Sequence, residues 1–315
     1  MDRPRIVFMG TPEFAVPSLQ ILIDRNENLL GVVTQPDRPV GRGQQLKPPP
    51  IKQLTLKYNI PVFQPEKVKR HDFIEKLKAL APDLAVVVAY GQIFPRSLLE
   101  IPTRGFINVH SSLLPAHRGA APINWALING ETETGVTIMV LDEGMDTGDI
   151  ILQEATSILP DDNASTLHDR LSLFGAKLLG KALDMLKTDS WNPTPQNHSM
   201  ATYAPMLKKE NGLINWDNDA KNILNQVRGM TPWPGCFTYL DGKLLKIHRA
   251  KAPGKQQGVP PGRIVSVSQN GIEVAAGKGS LMLKEVQLEG KKKMAAEDFI
   301  KGYKLTPETG FTATR

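Results

Sequence analysis

Short apolar runs alternate with helical segments through the first half of the chain. Such an alternation is typical of βα units, in which a parallel sheet is covered on both faces. The apolar runs predict strands at residues 5–9, 29–34, 61–63, 83–90 and 105–110. The segments with helical periodicity are residues 14–23, 72–80 and 122–128. The pattern predicts an α/β domain with a Rossmann-like, mostly parallel sheet.

The pattern changes twice further along the chain. Residues 135–141 and 150–155 alternate polar and apolar positions, which favours an antiparallel sheet edge. Residues 165–187 form a long amphipathic helix that we expect to close a first domain at residues 1–189. The following stretch from Trp191 to Asn197 has two prolines and no periodicity, so residues 190–208 are interpreted as a linker.

Short strands dominate the last third of the chain. A helix at residues 219–228 precedes apolar runs at 236–240, 244–250, 263–267, 271–275 and 281–288. Turn signals such as Asp241-Gly242 and Asn270-Gly271 separate these runs. Five short strands predict a small OB-like β-barrel domain at residues 209–315.

The charge is concentrated in this last third. Residues 209–315 hold 17 Lys and Arg against 10 Asp and Glu, a net charge of +7, whereas the remaining residues hold 21 against 22. A basic domain indicates a polyanionic partner, although a solubilising surface would look the same. The single cysteine, Cys236, excludes an internal disulfide framework, and the sequence leads us to expect neither a leader sequence nor a membrane span. These features predict a cytoplasmic protein without membrane contact.

Residues suited to acyl-transfer chemistry follow two strands of the first domain. Asn108 and His110 end the fifth strand and share one side of it, because side chains alternate along a strand. Asp146 lies in a later loop with Thr147 and Gly148. Ligands gather at the carboxyl ends of strands in open α/β sheets. Taken alone, each residue could be structural, and Asp146 could simply satisfy the backbone of its own turn.

Together these residues resemble the formyltetrahydrofolate-dependent formyltransferases. The resemblance rests on Asn108-x-His110, on the Ser112-Leu113-Leu114-Pro115 loop with Arg118-Gly119, and on Asp146-Thr147-Gly148. The segments Phe8-Met9-Gly10-Thr11-Pro12-Glu13-Phe14-Ala15 and Gln35-Pro36-Asp37-Arg38-Pro39 resemble the branch of the family that acts on methionyl-tRNA. The resemblance implies transfer of the formyl group of 10-formyltetrahydrofolate to the amino group of methionyl initiator tRNA.

The predicted catalytic residues suit this reaction. An amine that attacks a formyl group forms an intermediate with an oxyanion, to which the Asn108 amide can donate. His110 can share that task or move a proton, and Asp146 can orient or balance the histidine. Neither a metal nor a covalent enzyme intermediate is required. Whether His110 acts as a base or as an electrostatic group stays open.

The resemblance also implies binding sites for both substrates. The loop Ser112, Leu113, Leu114 and Pro115 is expected to wall the folate pocket, although it could be a simple surface turn. Asp142 either hydrogen-bonds folate or caps its own loop. The long stretch of residues 37–52 is predicted to reach the acceptor end of tRNA through Arg38, Arg42 and Lys47. On the barrel, tRNA contacts are predicted for Lys243, Lys246, Arg249, Lys291, Lys292 and Lys293.

Other functions remain as alternatives. The first is a formyltransferase that acts on another amine, such as an amino sugar nucleotide or a purine precursor. The second is an RNA-binding protein that has lost its activity, against which the intact Asn108, His110 and Asp146 argue. A dinucleotide-binding enzyme is disfavoured because the first strand is not followed by a GxGxxG motif. We expect the protein to act as a monomer.

Overall fold

The described residues in the first two thirds of the chain form nine strands and a set of helices. The computed structural model describes residues 3–40, 45–254, 258–306 and 309–314. The strands are β1 (Arg5–Gly10), β2 (Asn28–Val33), β3 (Arg38–Val40), β4 (Gln45–Lys47), β5 (Val62–Phe63), β6 (Leu84–Val88), β7 (Phe106–His110), β8 (Glu133–Val140) and β9 (Ile150–Ser157). The helices are α1 (Val16–Asp24), α2 (Pro50–Lys57), α3 (His71–Leu80), α4 (Arg96–Leu99), α5 (Pro122–Ile128) and α6 (Ala164–Lys187).

Seven of these strands form one twisted sheet in the order β5-β2-β1-β6-β7-β8-β9. The strands from β5 to β7 run parallel, whereas β8 and β9 form an antiparallel edge. Every residue of β6 is buried, because helices cover both faces of the central strands. The predicted Rossmann-like sheet with an antiparallel edge is confirmed.

The direction of strand addition reverses between β1 and β6. From β1 the chain adds β2 and β5 on one side, then returns to place β6 and β7 on the other. Open α/β sheets bind their ligands in the crevice at the carboxyl ends of the strands beside such a switch point. The strand order therefore indicates a ligand crevice at the carboxyl ends of β1, β6 and β7.

Two short strands lie within the stretch of residues 37–52, where the sequence pattern indicates a long loop. β3 and β4 pair as an antiparallel hairpin, with Arg38 opposite Lys47. The base of the hairpin is held by Asp37, which accepts hydrogen bonds from Nζ of Lys52 at 2.7 and 2.9 Å. Gln64 donates to the same carboxylate at 2.8 Å. The described residues of this stretch thus form two paired strands, β3 and β4, followed by α2.

The last third forms an antiparallel sheet. The elements are α7 (Ala220–Met230), β10 (Cys236–Leu240), β11 (Lys243–Gly254), β12 (Ile264–Ser268), β13 (Gly271–Ala275), β14 (Ser280–Leu288), β15 (Met294–Ala295), α8 (Ala296–Gly302) and β16 (Phe311–Thr312). The strands follow the order β12-β13-β14-β11-β10-β16, with β15 on β14. Alternate residues of β10 face the core of this unit, which also contains Leu283 and Val286 of β14 and Phe299 of α8. The predicted OB-like domain is confirmed.

The chain divides into two compact units, and neither is one continuous stretch. The first comprises Met1–Gly119, Glu133–Ser157 and His168–Tyr203, and the second comprises Ala120–Thr132, Ile158–Leu167 and Ala204–Arg315. In the second unit α5 lies against α7, where Asn124 donates to the carbonyl of Gly229 at 2.8 Å. Most of the stretch interpreted as a linker lies in the first unit. Over the residues that the structure describes, no helix is both long and apolar enough to cross a membrane.

Candidate active site

The predicted catalytic pair Asn108 and His110 lies on β7. β7 is parallel to β6 and antiparallel to β8, so it lies where the parallel and antiparallel parts of the sheet meet. His110 is buried, whereas Asn108 is half-buried. Within the described ranges, the amide of Asn108 has no hydrogen-bond partner, so both of its N–H groups are available to a ligand.

Both ring nitrogens of His110 have protein neighbours. Nε2 lies 3.1 Å from the carbonyl oxygen of His117. A carbonyl only accepts, so Nε2 carries the proton and the lone pair of the neutral ring is at Nδ1. Nδ1 faces Oδ1 of Asp146 at 3.6 Å. A proton gained at Nδ1 would therefore lie between the ring and a carboxylate, which stabilises the imidazolium.

Asp146 is held in an unusual backbone conformation. Its φ of 53° lies in the left-handed region, which non-glycine residues seldom adopt. The N–H group of Gly119 donates to Oδ2 of Asp146 at 2.8 Å, so the other carboxylate oxygen is the one that faces His110. Nearby, the backbone at Gly148 approaches β8 so closely that an added Cβ would lie 1.9 Å from the carbonyl oxygen of Val140.

The loop after β7 is fastened to β8 and β9. Thr137 on β8 donates to the carbonyl of Ser112 and accepts from the N–H of Leu114, at 2.7 and 3.2 Å. Gln153 on β9 donates to the carbonyl of Leu114 at 2.9 Å, and the peptide bond from Leu114 to Pro115 is cis. These bonds fix the path of the loop from the sheet.

Among the residues predicted to bind folate, the structure separates two groups. Ser112 and Leu114 are buried, and the hydroxyl of Ser112 donates to the carbonyl of Ala116 at 2.7 Å. Leu113 and Pro115 are partly exposed and have surface for a ligand. Asp142 accepts from the Thr147 hydroxyl at 2.7 and 2.8 Å and from the Gly144 N–H at 3.0 Å. These are the contacts of a loop cap.

Sequence reasoning missed the crevice at the switch point of the sheet. It is lined by Thr11 after β1, by Gln35 after β2, by Tyr90 and Gly91 after β6, and by Arg38 and Lys47 of the hairpin. Among the residues that the structure describes, the buried hydroxyl of Tyr90 has no hydrogen-bond partner, and burial raises the pKa of this phenol. Only the strand order could have predicted this crevice, and a local sequence pattern does not give the strand order.

The hairpin carries two of the residues predicted to contact tRNA. Arg38 and Lys47 are exposed on neighbouring strands of the hairpin and face each other in its register. Arg42 lies outside the described residues. The structure thus brings two predicted cations of this stretch together beside the switch-point crevice.

The cations predicted on the barrel lie along β11 and after β14. Lys243, Lys246 and Arg249 are exposed on β11, and Lys291, Lys292 and Lys293 follow β14. Arg249 and Lys293 share the carboxylate of Glu285, at 3.5 and 2.6 Å. The hydrogen bond from Lys293 and the charge of Arg249 lower the pKa of Glu285, so one acidic group offsets part of this basic surface. No cluster of metal-ligating side chains occurs in the described part of the chain.

The Rossmann-like sheet carries Asn108 and His110 at the end of β7 and Asp146 in the loop after β8, and an antiparallel barrel-like unit follows it. These features define a class of enzyme that transfers one-carbon groups. The chain belongs to the formyl transferase family. The family's Formyl transferase model matches residues 4–183, and the model of the Formyl transferase C-terminal domain matches residues 206–304. The family predicted from the sequence motifs is therefore confirmed.

Curated relatives match nearly the whole chain. A methionyl-tRNA formyltransferase of Geotalea uraniireducens is 55% identical over 303 residues, covering 96% of both chains. A methionyl-tRNA formyltransferase of Desulforamulus reducens is 51% identical over 314 residues and covers 99% of both.

Solved structures share the fold at lower identity. WlaRD, a sugar 3N-formyl transferase, has a TM-score of 0.69 at 20% identity and covers 93% of this chain and 100% of its own. HypX from Aquifex aeolicus, crystallised with tetrahydrofolic acid, has a TM-score of 0.65 at 18% identity and covers 100% of this chain and 51% of its own.

Proposed function

We propose that the protein transfers the formyl group of 10-formyltetrahydrofolate to the free amino group of methionyl initiator tRNA, which gives formylmethionyl-tRNA for translation initiation. The observation that carries the proposal is the 55% identity to a methionyl-tRNA formyltransferase over 96% of both chains. A match of this extent includes both units and not only the sheet that all formyltransferases share. The sugar formyltransferase, at 20% identity, supports the fold alone.

The catalytic step is assigned to Asn108, His110 and Asp146. As the amine attacks, a C–N bond forms and negative charge develops on the formyl oxygen. The unpartnered amide of Asn108 can donate to that oxygen. The amine loses a proton, the bond to N10 of folate breaks, and N10 is protonated. His110 can take up a proton at Nδ1, where Asp146 lies 3.6 Å away and stabilises the resulting charge.

The folate donor is placed against the loop after β7. Leu113 and Pro115 provide partly exposed apolar surface there, while Ser112 and Leu114 hold the loop in position from inside. Flat ring systems bind in apolar slots with a few polar groups, and the amide of Asn108 is such a group. Asp142 supports the site by capping the loop that carries Asp146.

The tRNA substrate is assigned to the cationic residues of both units. Arg38, Arg42 and Lys47 of the hairpin region are assigned to the acceptor end, and the cations of β11 and the loop after β14 to the phosphate backbone. Phosphate contacts position a nucleic acid and make its binding sensitive to salt. The protein is proposed to act as a monomer in the cytoplasm, where aminoacylated tRNA is found.

The test is formyl transfer from 10-formyltetrahydrofolate to methionyl initiator tRNA, measured for the parent and for Asn108→Ala, His110→Ala and Asp146→Ala. Each variant should lose about 10²-fold or more in rate while staying folded. His71→Ala is the matched control, because this histidine lies on the exposed surface of α3. It should retain the parent rate.

The same assay separates the alternatives. Transfer to an amino sugar nucleotide, without transfer to methionyl initiator tRNA, would replace the proposed acceptor by a sugar. Binding of tRNA without any transfer would favour the inactive RNA-binding protein. Equal rates for the parent and the three variants would remove Asn108, His110 and Asp146 from the catalytic step.

A further inference from the structure

A buried arginine and a buried glutamine are hydrogen-bonded to each other beside the loop that carries Asp146. Arg118 is 3% exposed, and its Nε and Nη2 donate to Oε1 of Gln196 at 3.1 and 2.7 Å. Nη2 also lies 3.0 Å from Nδ1 of His198. These partners are neutral groups, and a buried guanidinium is costly unless its donors are satisfied. These hydrogen bonds thus fix the side-chain conformations of Arg118 and Gln196.

Gln196 connects this arginine to the loop that carries Asp146. Its Nε2 donates to the carbonyl oxygen of Asp146 at 2.9 Å and to that of Gly148 at 2.7 Å. With Oε1 bonded twice to Arg118, every hydrogen-bonding position of the amide is used. Because Arg118 can only donate, the amide cannot rotate by half a turn without placing N–H groups against the guanidinium.

Asp146 is therefore held from two directions. Gln196 holds its main-chain carbonyl, and the N–H of Gly119 holds its carboxylate at 2.8 Å. Gly119 directly follows Arg118, whose guanidinium holds the Gln196 amide, so neighbouring residues take part in both restraints. The left-handed conformation of Asp146, with φ at 53°, is disfavoured locally and needs such tertiary support. The result is a carboxylate with Oδ1 directed at His110.

The segment that supplies Gln196 is anchored to the same unit. Thr194 exchanges both backbone hydrogen bonds with Ile150, each at 2.9 Å. Beyond Gln196, the carbonyl of Thr202 accepts from the N–H of Arg118 at 2.9 Å. The sequence pattern of this segment is that of a linker, yet Gln196 is only 5% exposed.

We propose that Gln196 is a positioning residue for formyl transfer, which holds the Asp146 loop so that the carboxylate faces His110, with Arg118 fixing the orientation of its amide. The proposal rests on the proposed function, because it assigns Gln196 to the same reaction. Gln196 touches neither substrate directly. Its removal changes the rate of the chemical step and leaves the binding of folate and tRNA intact.

The test uses Gln196→Glu in the full-length protein. A glutamate still accepts from Arg118, but it loses both donors and places a carboxylate against the carbonyl oxygens of Asp146 and Gly148. We expect kcat to fall by about 10- to 10²-fold, the loss typical of small misplacements of reacting groups, while both KM values stay within about twofold. The ¹⁵N resonances of the His110 ring should shift, because its charged neighbour has moved.

Gln226→Glu is the matched control. Nε2 of Gln226 also bridges two backbone carbonyls, those of Asn211 and Leu213, at 2.8 and 3.1 Å in the second unit. The same substitution there removes the same two donors away from Asp146. It should leave kcat and the His110 resonances unchanged.

A double-mutant cycle separates positioning from a general structural role. In an Asp146→Ala background, Gln196→Glu should cause no further loss of kcat, because the group that it positions is gone. Gln196→Asn is a second variant whose shorter amide cannot bridge both carbonyls, and it should behave like Gln196→Glu.

Two results would overturn the inference. One is a parent-like kcat together with unchanged His110 resonances in both Gln196 variants. The other is a loss of kcat that is equally large with and without Asp146. A parent without transfer activity would instead refute the proposed function, and the His110 resonances would still decide whether Gln196 positions the loop.

Discussion

Nδ1 of His110 and Oδ1 of Asp146 lie 3.6 Å apart, although one residue ends β7 and the other lies in the loop between β8 and β9. This separation exceeds the normal range of a hydrogen bond. A neutral ring presents a lone pair to the carboxylate, whereas a ring protonated at Nδ1 presents a donor. A proton at Nδ1 of His110 would therefore face the carboxylate of Asp146.

Replacing Asp146 by asparagine tests the charge of this pair. Asp146→Asn keeps the shape of the side chain and an acceptor for the Gly119 N–H, but it removes the negative charge beside His110. We expect the rate of transfer to fall by about 10²-fold or more, because the imidazolium loses its counter-charge. Asp298→Asn on α8 is the control and should keep the parent rate. An Asp146→Asn enzyme as fast as the parent would contradict an electrostatic role.

The tight approach of Gly148 to β8 predicts a second sensitive position. In Gly148→Ala the new Cβ would lie 1.9 Å from the carbonyl oxygen of Val140, so the loop between β8 and β9 must move. We expect at least a tenfold loss of transfer rate, of the order that misplaced catalytic groups cause. In Gly302→Ala at the end of α8 the added Cβ meets no atom within 4 Å, and activity should be unchanged. Parent-like transfer by Gly148→Ala would show that the loop tolerates displacement.

The basic surface of the barrel predicts a salt-dependent contribution to tRNA binding. Lys246 is exposed on β11, opposite Gln287 in the register with β14. In Lys246→Ala the affinity for tRNA should fall, and the slope of log Kd against log salt should decrease by about one if one phosphate contact is lost. Lys181→Ala on α6, which removes an exposed lysine paired with Glu154, should change neither quantity. Filter-binding titrations at several salt concentrations measure both, and an unchanged slope for Lys246→Ala would remove this residue from the interface.

Burial of the single cysteine predicts slow thiol chemistry in the native protein. Cys236 on β10 is fully buried, and burial raises the pKa of its thiol above the ordinary value of 9.0. The thiolate is the reactive form, so a thiol reagent should modify the native protein slowly and the urea-unfolded protein at once. Immediate stoichiometric modification of the native protein would contradict this burial.

The same thiol predicts the direction of a pH effect on stability. Because the folded pKa is raised, the contribution to the free energy of unfolding is complete below pH 9.0 and declines as the pH rises above it. The decline should approach about 1.4 kcal/mol per pH unit once the unfolded thiol is ionised. Urea unfolding of the parent and of Cys236→Ala between pH 8 and pH 10.5 should show it as a difference in slope. Parallel pH dependences would disprove it.

The strands and helices follow from local patterns in the sequence. Continuous apolar runs at β1 and β6 are stable only in the interior of a sheet that is covered on both faces. Buried and half-buried residues alternate in β10, whereas the alternation in β14 is interrupted at Lys284 and Glu285. The predicted catalytic residues could be named because Asn108 and His110 end a strand and Asp146 occurs within a family motif.

The arrangement of the site depends on contacts between distant parts of the chain. Strand order places the switch-point crevice, and it depends on which apolar faces fit together. β3 and β4 pair on either side of residues 41–44, and Asp37 binds Lys52 at the start of β3, whereas the prolines and glycines of residues 37–52 resemble a loop.

Gln196 is the clearest example of a residue whose position depends on tertiary contacts and not on the local sequence pattern. Its proline-rich surroundings have no periodicity, so the sequence alone indicates a linker. Only in the folded chain does Arg118 direct its amide at the carbonyls of Asp146 and Gly148. Local patterns determined which residues form the strands of this protein, because burial and backbone geometry act on neighbouring residues. Tertiary structure decided which polar groups meet, because a buried hydrogen bond joins groups that are close in space and distant in sequence.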